Sequence, residues 1–199
     1  MSSFSKNTPI KIGEIIPFSA YNWRVLDVQK NQALLLSDLI LEERPYHREY
    51  TAITWENCTL RHYLNNDFYN KLSEKSRIAQ RKISNKDNQW FGTSGGNDTT
   101  DHIFLLSLEE IMRYFGDKFS KKYVAKDING RATWWWLRSP GRYCDIAAYI
   151  TDYGYIDDEE GIISESGGVR PALWINLQPN TKQLSEKIGN HKIRKGATK

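Results

Sequence analysis

The sequence predicts a single α+β domain, with short antiparallel strands at both ends of the chain and helices between them. Three observations carry that reading. Tyr21–Val28 alternates, and Ala33–Ser37 forms a short apolar run after the polar turn Lys30-Asn31-Gln32, so the first forty residues read as a β-hairpin. Leu60, Tyr63, Leu64, Phe68 and Leu72 recur at helical spacing, and Ser107-Leu108-Glu109-Glu110 is a capping box whose helix Gly116 closes. Thr133–Ser139, Ala147–Thr151, Tyr155–Ile156 and Val169–Leu177 are strand-like runs separated by turns.

The remaining elements follow in chain order. Pro45 argues against a continuous helix over Leu39–Tyr50. Thr54 or Asn57 is placed to cap the first helix, and a second short helix is expected near Ser73–Gln80 with Ser73 as its cap. Trp90–Asp101 reads as a polar, Gly-rich loop in which Asn97, Asp98 and Thr99 hydrogen-bond their own backbone. A buried strand over Ile103–Leu106 comes next, and residues 117–131 form a charged connector. Successive side chains of a strand alternate faces, so Trp135 should point away from Trp134 and Trp136. Pro171 puts the last strand at an edge or delays its start past the proline.

A chain of 199 residues can bury one core, expected here over 8–178 with a basic tail at 179–199. No apolar run approaches the roughly 18 residues that cross a bilayer. Met1–Lys6 has no signal-peptide pattern, so a cytoplasmic protein without a membrane span is expected. Cys58 and Cys144 are too few for a disulfide framework and wrongly spaced for zinc, which leaves two independent reduced thiols. The net charge is +4, but residues 142–166 hold one arginine against seven acids, a local −6 that leaves +10 for the rest. Basic residues cluster in the tail without interleaved aromatics, so nucleic acid is not the expected partner.

The segment from Arg142 to Asp158 stands out by composition, with four tyrosines and four aspartates in seventeen residues. Tyrosine offers a large, rigid contact area at low entropic cost and a polar tip. The candidate ligand-binding residues are Arg142, Tyr143, Asp145, Ile146, Tyr149, Thr151, Asp152, Tyr153, Tyr155, Asp157 and Asp158, in a surface at about 142–160 for a protein or other macromolecule. The run Asp157-Asp158-Glu159-Glu160 has carboxylates that suit calcium, but no calcium-loop motif turns them inward, so it reads as a solvated face. His47, His62, His102, His191 and the two cysteines form no nucleophilic or metal signature, and the Gly92–Asp101 loop lacks the Lys-Ser/Thr of a phosphate loop. No catalytic residue, metal ligand or cofactor is expected. The alternative is an enzyme with a pocket near Trp135 and that loop. Arg138 and Arg170 read as structural, pairing with buried carboxylates or carbonyls.

Seven strings occur in the order of a known family. They are Trp23-Arg24-Val25-Leu26, Leu39-Ile40-Leu41-Glu42, Thr54–Arg61, Phe68-Tyr69, Gly95–Asp101, Trp135–Gly141 and Gly168–Ile175. Over about residues 10–177 the chain resembles the bacterial domain family DUF6273, which implies no established activity. A strand ending in Trp-Leu-Arg-Ser, a loop-rich segment and a closing Gly-Val-Arg-Pro strand are also similar to the formylglycine-generating-enzyme type of C-type lectin fold. That second resemblance implies a C-type-lectin-like domain of the kind used as variable proteins of diversity-generating retroelements, whose contact residues are rewritten through adenine changes in AAC codons. Lys, Glu, Gln, Trp and Met are unreachable that way, and none occurs in 142–158. Gly92–Leu108 lacks them equally, so the codon pattern leaves the origin of the segment open.

Overall fold

The computed structural model describes residues 9–116 and 120–177; the tail expected at 179–199 lies outside them. The alternating N-terminal segment folds as its pattern dictates. Strands β1 (Ile15–Phe18), β2 (Tyr21–Gln29) and β3 (Gln32–Ser37) make an antiparallel meander, with Lys30 at φ 51° in the tight turn before β3. Ala33–Ser37 is buried throughout, as a strand covered on both faces requires. After β4 (Glu42–Pro45) a helical run extends from Thr59 to Lys71, α-helical at Thr59–Tyr63 and Tyr69–Lys71 and π-helical at Leu64–Phe68. Its apolar stripe buries Leu60, Leu64 and Phe68. The N-cap is Cys58, whose sulfur accepts from the Arg61 amide, and not Thr54 or Asn57.

Four short strands come next: β5 (Ile78–Ala79), β6 (Arg81–Ile83), β7 (Thr99–Asp101) and β8 (Ile103–Phe104). The helix Leu108–Phe115 opens on the expected Ser107/Glu110 capping box. The chain then forms β9 (Ala125–Lys126), β10 (Ala132–Thr133), β11 (Trp135–Pro140), β12 (Ala147–Ile150), β13 (Ile156–Asp157), β14 (Ser166–Val169) and β15 (Ala172–Asn176). One six-stranded sheet has the order β1-β2-β3-β15-β5, with β8 also on β15; a five-stranded sheet has the order β13-β12-β11-β14-β4. Two ribbons, β6–β7 and β9–β10, lie outside both. The chain passes directly between consecutive strands of the two large sheets at β3–β4, at β4–β5 and at β14–β15; of these, β3–β4 and β14–β15 are the short crossings. The two crossings run side by side, tied by Ser37 N–H to Pro171 O and Leu41 N–H to Val169 O.

This sheet-rich architecture corrects the expected class. It is not an α+β domain with helices between terminal strands, nor the lectin-like arrangement implied by the second resemblance. Strands run through the middle of the chain as well as its ends, and one helical run and one short helix are all that the expected helical block supplies. Strands of two or three residues have no measurable period, so only their partners define them. The helix expected near Ser73–Gln80 is a single 3-10 turn at Lys75–Arg77 followed by β5, because Ile78 and Ala79 pair with Ile175 and Trp174. β15 starts just after Pro171, as the proline requires, but lies inside its sheet between β3 and β5.

Residues of the family strings prove to be framework. Asp101 is fully buried and accepts from Trp55 Nε1 at 2.9 Å, Arg61 Nε at 2.8 Å and Thr99 Oγ1 at 2.8 Å. Arg138 is buried and donates to the Leu105 and Ser84 carbonyls and to Glu110. Arg170 sits at the sheet crossing, with Nε on the Ser37 carbonyl at 2.9 Å and its guanidinium over Trp135. Burial lowers its pKa to about 10, still high enough to keep it charged at neutral pH.

Candidate functional site

β11 and β12 are antiparallel neighbours with Trp136 opposite Tyr149, and Tyr149 in turn stands opposite Asp157 on β13. Residues directly opposite one another share a face. Trp136, Tyr149 and Asp157 therefore lie on one side of the sheet, while Trp135 points to the other and is enclosed. Trp134, Trp136 and Tyr149 pack edge to face, with centroid separations of 4.7, 5.2 and 6.3 Å. Burial, then the charge and hydrogen bond of Asp157, hold the Tyr149 phenol protonated well above its ordinary range. Tyr149 is thus half packing residue and half surface.

The connections at the two ends of β12 divide the candidate residues. At the β11–β12 end, Arg142 stacks its guanidinium near Phe91 (5.3 Å) and Tyr143 (5.5 Å) and pairs with Glu159 at 3.1 Å. Tyr50 donates to Asp145, which raises the Tyr50 pKa. The backbone beneath is pinned: Ile53 N–H donates to Cys144 O, Thr93 Oγ1 to Arg142 O, and Ile146 bridges Ile162. Tyr50, Phe91 and Tyr143 are 64%, 41% and 56% exposed, so three loops deliver large rings into water, two of them at Arg142 and the third at Asp145. At the opposite end, the β12–β13 turn carries Thr151, Asp152, Tyr153 and Tyr155, with the tyrosines 73% and 51% exposed. Thr151 holds this turn by accepting from the Tyr155 amide through its hydroxyl and donating its own amide to the Tyr155 carbonyl. Gly154 sits at φ 88°, and a Cβ there would lie 2.5 Å from the Ser120 carbonyl.

The single surface expected at 142–160 is therefore two contact regions. The four residues of β12 alone separate them by about 13 Å. Asp158 belongs to neither, being buried with its carboxylate on Asn88 Nδ2 at 2.9 Å. Asn88 also donates to Pro140 O and accepts the amides of Trp90 and Phe91, and so fastens the aromatic loop to the sheet. Asp157 turns back to accept the Glu159 and Glu160 amides, so the acidic run faces several ways and does not converge. No group of three or more His, Cys, Asp or Glu among the described residues is placed to hold a metal.

Sequence reasoning missed Tyr50 and Phe91. Tyr50 lies in a segment without a period, and Phe91 is one ring in a polar loop; only the fold brings Phe91 to Arg142 and Tyr50 to Asp145. The Gly92–Asp101 loop is braced across to Asn85, whose amide donates to Asp98 and whose side chain donates to the Asn97 carbonyl. Thr99 meanwhile donates to Asp101, and the bond to the loop's own backbone comes from Ser94, whose hydroxyl accepts the Gly96 amide, instead of from Asn97, Asp98 or Thr99. No helix among the described residues is long and apolar enough to cross a membrane.

Fold and site together define a sheet-rich domain that presents aromatic side chains from rigid loops. A family profile described as "Domain of unknown function (DUF6273)" matches residues 30–177, most of the chain. The chain belongs to the DUF6273 family, and the match runs from the β2–β3 turn to the end of β15. No curated protein and no solved structure matches it.

Proposed function

We propose that the chain is a binding module whose principal contact is the patch of Tyr50, Phe91, Arg142 and Tyr143, with Tyr153 and Tyr155 as a second contact for the same partner. The observation that carries this reading is that two exposed rings, Phe91 and Tyr143, flank Arg142 from separate loops while exposed Tyr50 from a third meets neighbouring Asp145, on backbone already tied down. Aromatic and arginine side chains dominate the energetics of protein interfaces, and a rigid loop loses little entropy when it binds. A partner touching both ends of β12 must span well over 13 Å, so the ligand is a protein or another macromolecule. Asp145, Asp152 and the exposed Glu159 and Glu160 select a basic or hydroxyl-rich face on it.

Tyr149 is left out of the test because it packs against Trp134 and Trp136. Partners captured from a host extract are identified by mass spectrometry and their affinity is measured with purified proteins. The double variant Phe91→Ala/Tyr143→Ala should bind at least a hundredfold more weakly, at about 2 kcal/mol per anchoring ring, with an unchanged thermal midpoint. Equal affinity in variant and parent rejects the patch. The retroelement variable-protein form of this reading rests on the residue types of 142–158. Ala147, Ala148, Ile150 and Asp158 are buried, which confines any diversification to the other positions of 142–158. A reverse-transcriptase gene beside a near-copy of the DNA for residues 134–175 supports that form; tyrosine and aspartate codons not ending in C defeat it.

A further inference from the structure

At the other edge of the five-stranded sheet, β4 borders an open groove of about 690 Å³ between the sheet and the helical run Thr59–Lys71. That volume falls in the ordinary range for small-molecule sites, roughly 300–1,000 Å³. Its charged lining is uneven in what is already committed. Arg61 is spent, with Nε and Nη2 on Asp101 and Nη1 on the Glu56 carbonyl. Arg44 is held through Nε on Glu42 at 2.8 Å, and its guanidinium lies flat over Tyr63, 3.5 Å from the ring centroid. Arg44 also engages the Tyr63 hydroxyl, so the fork is oriented and partly committed. Lys71 Nζ stands 5.6 Å from the same ring without a carboxylate, and exposed Arg48 has no ion pair among the described residues. His62 also lines the groove. Two carboxylates line the groove: Glu56 is turned onto Asn97 Nδ2 at 3.0 Å, and Asp67 makes no ion pair among the described residues.

We infer that this groove is a second binding site, for a small molecule carrying a phosphoryl group. The planar fork of Arg44 matches the spacing of two oxygens on one oxyanion, and Arg48 and Lys71 supply point charges for the remaining negative charge. Pro45, Leu60 and Tyr63 give the wall against which the uncharged part of the ligand rests. The Arg44–Tyr63 stack is built before the ligand arrives. Burial, then the hydrogen bond and charge of Glu42, push the Tyr63 phenol up to about 12, so this ring stays neutral beneath the cation. The site makes no use of residues 142–160 and stands or falls apart from the macromolecular surface.

The test is titration of the full chain with inorganic pyrophosphate at low ionic strength, followed by calorimetry and by amide chemical shifts, with acetate as a monocarboxylate comparison. Pyrophosphate should saturate with shifts centred on residues 44–48 and 59–71, and acetate should bind at least tenfold more weakly. Arg48→Ala/Lys71→Ala should lose at least tenfold in affinity, whereas Arg113→Ala, which removes a cation paired with Glu109 on the helix Leu108–Phe115, should lose nothing. Absence of saturation, equal binding of acetate, or unchanged affinity in the double variant each overturns the assignment.

Discussion

The two edges of the five-stranded sheet make opposite surfaces. At the β13 edge, residues 147–160 concentrate three tyrosines and five acids in one stretch of chain. At the β4 edge, about 19 Å away across four inter-strand spacings, Arg44, Arg48 and Lys71 face a groove whose walls come from a strand and a helix. The first edge is a convex rim built on turns; the second is concave. Each is anchored from below by one buried polar residue, Asn88 under the rim and Asp101 under the groove. The difference teaches that the charge asymmetry of the chain is arranged across a single sheet, so the two surfaces can be disabled separately.

Three perturbations test that separation, in order of expected size. Asp101→Ala removes the acceptor of Trp55, Arg61 and Thr99 and leaves a half-buried arginine without its carboxylate. It should cost about 3–5 kcal/mol in chemical denaturation, as breaking a buried ion pair typically does. Pyrophosphate affinity should collapse with it. A loss below about 1 kcal/mol would show that the groove is not anchored there.

Asn88→Ala frees the Trp90 and Phe91 amides and strands the buried Asp158 carboxylate. It should cost about 2 kcal/mol and weaken the macromolecular partner while leaving pyrophosphate binding as it was. Loss of both activities together would mean that the two edges are coupled.

The smallest effect concerns the thiols. Cys58 caps the helical run and is buried, and burial raises its pKa from 9.0 to about 12; Cys144 is exposed in the rim. At pH 8 one equivalent of a thiol reagent should react quickly, at Cys144, and the second only on unfolding. Because the folded-state pKa of Cys58 is the higher one, the stability it contributes is present below pH 9 and is lost as pH rises from 9 towards 12. Denaturation midpoints of the parent should fall across that window more steeply than those of Cys58→Ala. Two fast-reacting thiols at pH 8, or parallel midpoints, would contradict this placement.

Several elements were legible without coordinates because their causes are local. The β2–β3 hairpin follows from alternation and a polar turn, the helix after Ser107 from a capping box, and the start of β15 from the geometry of Pro171. The alternation across Trp134–Trp136 predicted which way Trp135 faces. The helical run was legible too, but its cap was not: a cysteine sulfur accepting an amide carries no strong sequence signal. The fold class failed for a related reason. β5 to β8 are two or three residues long and exist because β15 and their own partners supply hydrogen bonds.

The sequence by itself determined the composition of the rim, its tyrosines and its local charge of −6, since those are properties of contiguous residues. Only the tertiary structure decided which of those residues act together. It separated Tyr143 from Tyr153 and Tyr155 by the length of a strand, buried Asp158, and brought Phe91 to Arg142 and Tyr50 to Asp145 from loops about fifty to ninety positions away. It also aligned the Arg44 fork over Tyr63 at the far edge. The physical reason is the same in each case: side-chain chemistry is written locally, but which groups share a surface depends on strand register and sheet crossings, which long-range hydrogen bonds and packing settle.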